Sequence, residues 1–174
     1  MSIIGIDPGV TGAIAILRGA ETEIHDMPVL DVKGGHDFNR LEIVHLLSGA
    51  GAEHVYIERV QPMGGPKFKG RNGAKQSFQL GCALETLRTA CAALRLPYTL
   101  VSPQAWKRKF GLIQQTKDAS RAAALRLFPE QAERLNRKKD HNRAEALLIA
   151  AYGREMQAAP EGKPISSADG KDNQ

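Results

Sequence analysis

The stretch Ile3-Ile4-Gly5-Ile6-Asp7-Pro8-Gly9-Val10-Thr11-Gly12-Ala13-Ile14-Ala15-Ile16-Leu17 constrains this chain more than any other. Two apolar, β-branched runs flank a Pro-Gly segment, in which proline holds φ near −65° and glycine is free to adopt positive φ. The pattern predicts two strands joined by a short turn, and it puts a carboxylate, Asp7, at the end of an otherwise apolar strand. A carboxylate buried in a strand costs several kcal/mol unless something pairs with it. Two roles fit: Asp7 caps its own turn by accepting backbone N–H bonds, or it ligates a metal.

The remaining pattern extends the sheet. Strands are expected at 2–7, 12–18, 22–27, 54–58 and 97–101, with a loop at 29–38 containing Gly34-Gly35. Asn39-Arg40-Leu41-Glu42 has the N-cap and Glu-at-N3 arrangement of a capping box and opens a helix to about Leu47. Residues 61–75 read as a loop rich in Gly, Pro and Lys. Leu80, Leu84, Leu87, Cys91 and Leu94 then recur at helical spacing and predict an amphipathic helix over 76–95. Further helices are expected at 103–109, 117–128 and 143–156, and the spacing also allows one at 130–136. Three hairpin-connected strands followed by crossover helices specify an α/β fold with a mixed five-stranded sheet, its first three strands antiparallel, flanked by helices. One domain over 1–157 is expected, followed by an aperiodic segment, 158–174, read as a disordered tail.

Charge is unevenly distributed. Residues 1–58 carry three Lys/Arg against nine Asp/Glu, a balance of −6; residues 59–143 carry eighteen against five, or +13; residues 144–174 stand at −2. A middle section this basic points to a polyanion partner, although solvated surface helices are also rich in Lys and Arg. No apolar run approaches the ~20 residues of a membrane span. The two cysteines, Cys82 and Cys91, fall on opposite sides of one predicted helix and cannot bridge within it. The start shows no secretory pattern. A reducing, cytosolic setting, in a bacterium or encoded by a phage, is the expectation.

Four acids occupy positions awkward for acids. Asp7 lies in the first strand and Glu58 ends the fourth, directly after Val55-Tyr56-Ile57. Asp140 and Glu145 flank the start of the last apolar helix, in "KKDHNRAEALLIAAY". If the first and fourth strands are neighbours, Asp7 and Glu58 converge, and a helix packed on that face brings Asp140 or Glu145 to the same point. Converging carboxylates repel unless a divalent cation neutralises them, and oxygen-only ligands suit Mg²⁺ or Mn²⁺. Each acid also has an ordinary role open to it: strand-end surface residue for Glu58, N-cap for Asp140, capping-box partner of Asn142 for Glu145.

"GIDPGVTGA", "YIERVQPM", "VSPQAWKRKFGL" and "RAEALLIA" resemble, in order and spacing, the RuvC-like Holliday junction resolvases, with the closest likeness to the phage-type branch of that RNase H-like superfamily. The resemblance spans roughly residues 2–153. It implies a crossover junction endodeoxyribonuclease, a homodimer acting on four-way DNA, that uses two Mg²⁺ ions per site to leave 5′-phosphate and 3′-hydroxyl ends. It implies metal ligation by Asp7, Glu58 and, in place of the usual Asp, Glu145. Where the family carries an acid or His three residues before the final acid, this chain has Asn142. Asp140, from the pre-helix position, is the expected fourth ligand, with His141 as rival.

The resemblance also places Lys107 and Lys117 near the scissile phosphate, with Lys109 beside the DNA. Family members put an aromatic three residues after the strand-four Glu, where this chain has Gln61. Phe68 within "PKFKGR" has two roles open to it, stacking on a base with Lys67, Lys69 and Arg71 on phosphates, or plugging its own loop as a hydrophobic residue. Trp106 and Phe110, one helical turn apart, read as core. Three other readings remain: a sugar-kinase or actin-like ATPase, for which the chain is short; a catalytically inactive junction-binding protein; and a nuclease for flaps or forks.

Overall fold

The computed structural model of the chain describes residues 1–60 and 71–158, without the side chains of 71–74 and 117. Lys67, Phe68, Lys69 and the C-terminal segment from 159 onward lie outside the described residues, and Arg71 and Lys117 are described as backbone only.

The opening stretch forms β1 (Ser2–Asp7) and β2 (Ala13–Arg18), paired antiparallel with Asp7 opposite Ala13. The turn between them closes with a hydrogen bond from Gly12 N to Gly9 O at 3.0 Å, and Gly9 takes a φ of 138° that disfavours L side chains. β3 (Glu21–Asp26) continues the meander. Residues 29–38, read as a loop, instead form a small separate hairpin, β4 (Val29–Val32) and β5 (Gly35–Phe38). Gly34 and Gly35, at φ 95° and 147°, provide the left-handed backbone that its tight turn requires. The hairpin was hard to read because its strands are short and Leu30 and Val32 stay exposed, which blurs the alternation.

α1 (Arg40–Gly49) is capped by Asn39, whose Oδ1 accepts from Glu42 N at 3.2 Å. The reciprocal half of the expected capping box is absent, because Asn39 N donates to Pro28 O instead. β6 (His54–Glu58) follows, then α2 (Arg71–Ala93), which begins five residues earlier than its apolar periodicity indicated. The early turns lack apolar residues at helical spacing, so the periodic signal starts only at Leu80. β7 (Tyr98–Val101), α3 (Pro103–Lys109), α4 (Lys117–Leu127) and α5 (His141–Ala158) complete the order, with 3₁₀ turns at Pro129–Leu135 and Lys138–Asp140 between the last two helices.

The five main strands lie in the order β3-β2-β1-β6-β7, with β1/β6 and β6/β7 parallel. The mixed sheet with an antiparallel first half is therefore as expected. Ile4, Ile6, Ile14, Ile16, Val55 and Ile57 point to one face, under α1 and α2. Ile3, Ala13, Ala15, Leu17 and Tyr56 point to the other, under α3, α4 and α5. The second face is lined with small residues, and α5 takes advantage of it. A Cβ built on Gly5 would lie 2.2 Å from Ala150 N and 2.4 Å from Ala146 O, so the α5 backbone rests directly on β1. Gly153, farther along α5, leaves room for the Tyr56 ring in the same way. Among the described residues no helix is long and apolar enough to cross a membrane, and Cys82 and Cys91 are free thiols.

Candidate active site

The parallel pair β1/β6 has Gly5 opposite Tyr56 and Ile6 opposite Ile57, so Asp7 and Glu58 are the next residues in register, at the carboxyl ends of adjacent central strands. Side chains alternate along a strand. Asp7 therefore shares a face with Gly5, and Glu58 with Tyr56, which is the face covered by α5. Residues 146 and 150 of that helix sit over Gly5, and its first turn reaches the β1–β2 turn, where Asn142 bonds to the Thr11 carbonyl. Glu58 of the sheet and Glu145 of the helix are near enough for their charges to interact, and Asp7 ends the neighbouring strand.

Glu58 Oε1 accepts a hydrogen bond from Trp106 Nε1 at 2.9 Å. Trp106 is fully buried, as its spacing indicated, but its indole N–H also holds an acid, which the apolar pattern did not reveal. Burial pushes the Glu58 carboxyl above its ordinary value and the negative charge of Glu145 adds to this, while the Trp106 hydrogen bond and the Lys107 charge act the other way. Glu145 in turn accepts from Ser120 Oγ at 3.3 Å and lies 3.7 Å from Lys107 Nζ. Lys107 also sits 5.0 Å over the Trp106 ring. α3 thus presents two consecutive side chains to the site, one to each glutamate.

Asp7, Pro8, Gly9 and the following turn line a pocket together with Gln76, Gln79 and Leu80 of α2 and with Asn142. The Asn142 Nδ2 donates to the Thr11 carbonyl, which ties the first turn of α5 to the β1–β2 turn.

Asp140 lines a cavity beside the Asp7 pocket rather than that pocket itself. It is 3% exposed and accepts from the Arg137 backbone N–H at 2.9 Å and from the Arg137 guanidinium, with Arg143 Nη1 at 3.6 Å. Burial alone would raise its carboxyl; the Arg137 hydrogen bonds and the two guanidinium charges outweigh that and hold it below the usual carboxylate range. Asp140, the expected fourth ligand, is engaged in this structure by Arg137 and Arg143, and it braces the 3₁₀ turn. His141, the rival, has its Nδ1 3.0 Å from the Lys138 carbonyl and lines a neighbouring cavity rather than the Asp7 pocket. Lys109 is paired with Glu155, nearly three turns along α5 from Glu145.

Among the described residues, no three His, Cys, Asp or Glu side chains are gathered closely enough to hold a metal ion as they stand. The donor set nonetheless suits a hard divalent cation. All its atoms are oxygens, the Glu58 and Glu145 carboxylates repel one another, and the Lys107 charge acts on both.

No family model matches this chain. The Holliday junction resolvase MOC1, chloroplastic, from Chlamydomonas reinhardtii is 54% identical over 48 residues, which are 27% of this chain and 5% of that protein. The chain therefore spans only a small part of that curated relative's length. Among solved structures, Thermus thermophilus RuvC aligns over 90% of this chain and 97% of its own, with a TM-score of 0.58 and 15% identity. T. thermophilus RuvC in complex with Holliday junction substrate aligns equally well, at 14% identity. The yeast mitochondrial Holliday junction resolvase Ydc2 aligns over 90% of this chain and 78% of its own, with a TM-score of 0.55 and 16% identity. The fold is thus shared with RuvC and Ydc2 along nearly the whole described chain.

Proposed function

We propose that this chain is a structure-selective endonuclease that resolves four-way DNA junctions by metal-assisted phosphodiester hydrolysis. The observation that carries the reading is the placement of Asp7 and Glu58 side by side at the carboxyl ends of the central parallel strands, beneath Glu145 of α5. The shared fold and the local sequence match to a junction resolvase support it.

In this reading Asp7, Glu58 and Glu145 supply anionic oxygens to Mg²⁺ or Mn²⁺, and Asn142 supplies a neutral amide oxygen where related sites carry an acid. Two such ions held by these residues would supply Lewis-acid activation of a water and charge stabilisation for the leaving 3′-oxygen, the chemistry that gives 5′-phosphate and 3′-hydroxyl ends. Trp106 fixes the Glu58 rotamer, so that carboxylate is oriented before any ligand arrives. Ser120 does the same for Glu145. Lys107 places a positive charge at the edge of the site, where the scissile phosphate would lie. Paired symmetric cuts require two sites, so the working form is a C₂ homodimer. The nuclease domain extends to about residue 157, and the setting is cytosolic.

The test is incubation of the purified chain with a labelled four-way junction, with and without Mg²⁺, beside Asp7→Asn. Symmetric, metal-dependent nicks that vanish in the variant support the proposal. Asn142 favours one other reading, a junction-binding protein without catalysis, because replacing an anionic ligand weakens a metal site. Tight junction binding with no cleavage in Mg²⁺ or Mn²⁺ would decide for it, and nicking confined to flaps or forks would move the substrate instead.

A further inference from the structure

A second cavity, of about 500 Å³, adjoins the Asp7 pocket and shares its Val10, Thr11, Gly12 and Asn142 walls. Its far rim includes Arg137, Lys139 and Asp140, with the exposed Lys138 beside them in the chain, and the proposed mechanism uses neither lysine. The charges there do not cancel. Arg143 is paired with Asp26 at 2.5 Å and with Asp140, and Arg137 is paired with Asp140, so two guanidinium groups are matched by two carboxylates. Lys138 and Lys139 are exposed and have no carboxylate partner among the described residues.

These lysines do not hang on a loose loop. They belong to the 3₁₀ turn Lys138–Asp140, closed by Asp140 N donating to Arg137 O at 3.0 Å and braced by the buried Asp140 carboxylate accepting from the Arg137 N–H. A rigid mount lowers the ordering cost of a contact. The start of α5 immediately follows and adds the positive end of an 18-residue helix.

We infer that Arg137-Lys138-Lys139 is a second anchor for the nucleic-acid strand, in which Lys138 and Lys139 grip the phosphates flanking the one cleaved beside Asp7. The inference rests on the nuclease reading. A phosphodiester strand fits the two cavities better than an isolated anion because its charges repeat along a chain, and the cavities form one path over the Pro8–Gly12 turn. In this arrangement Asp140 acts as a positioning residue for the anchor.

The experiment is fluorescence anisotropy of a labelled four-way DNA junction with the full chain in EDTA, across a salt series, for the wild type and for Lys138→Ala/Lys139→Ala. Two lost phosphate contacts lower the slope of log K against log salt by about 1.5 and weaken binding about tenfold near 0.1 M salt. Lys138→Gln/Lys139→Gln gives the same result, and KM for cleavage rises in both. The control, Arg95→Ala/Arg126→Ala, removes two charges away from the site, one after α2 and one in the last turn of α4, and keeps the wild-type slope. An unchanged slope in the lysine variants, or an equal loss in the control, overturns the anchor while wild-type cleavage leaves the nuclease reading intact. A wild-type chain that binds no junction at all overturns both.

Discussion

Gly5→Ala tests how the fold sets the site. The added Cβ would lie 2.2 Å from Ala150 N, 2.4 Å from Ala146 O and 2.7 Å from Ala150 Cα, all of them backbone atoms of α5. Ordinary contact begins near 3.4 Å, so β1 and α5 must separate by about 1 Å at this point. No rotamer change can relieve a backbone clash. Overpacking of a core costs about 1–3 kcal/mol, and the upper end applies here. For a chain of this size that is a fall in Tm of about 6–12 °C. The shift also moves Glu145 and Asn142 relative to Asp7 and Glu58, and a displacement of about 1 Å can lower cleavage by roughly 100-fold. The assay pairs urea unfolding with junction cleavage well below the variant's melting temperature. Gly81→Ala is the control: nothing lies within 4 Å of its Cβ, and alanine in a helix interior gains about 0.5–1 kcal/mol. A Gly5→Ala chain with wild-type stability and activity would refute the close-approach argument outright.

Three further outcomes are expected. Glu58→Gln removes a buried, repelled charge while leaving an oxygen for Trp106, so it raises metal-free stability by about 1 kcal/mol and abolishes cleavage; a destabilised variant in EDTA would contradict this. Lys107→Ala lowers kcat/KM by about 100-fold if its charge serves the scissile phosphate, as single-turnover cleavage would reveal. Asp26 has its carboxyl held below the ordinary value, first by the Arg143 hydrogen bond. A depressed folded pKa adds stability that is complete above the unfolded value, about 4, and is lost as pH falls through the folded one. Asp26→Asn is therefore less stable than the wild type at pH 7 and equal to it at the acid end, by thermal melts across pH 2–7.

How much was legible beforehand differs between the fold and the site. All five main strands follow from local alternation and turn residues, because a strand's two faces and a Pro-Gly turn are written within a few residues of sequence. The Asn39 cap and the apolar stripe of α2 are local in the same sense. The β4–β5 hairpin and the first turns of α2 were missed because their apolar signal is weak and half exposed, so pairing and packing decided them.

The site is where local pattern ran out. That Asp7 and Glu58 are carboxylates at strand ends is plain from sequence; that they share a face depends on the register Ile6 to Ile57, which only strand pairing sets. Spacing left Asp140, His141 and Asn142 open as companions of Glu145. Tertiary structure gave them different surroundings: Arg137 and Arg143 engage the Asp140 carboxylate, while Asn142 lines the Asp7 pocket and bonds to Thr11. Trp106 reads as core by periodicity and is core, yet its N–H finds Glu58 across 48 residues of sequence. The sequence by itself determined which segments are strands and helices and which acids are out of place, because those are short-range properties. Which side chains meet was decided by the close seat of α5 on Gly5, a contact between residues nearly the whole chain apart.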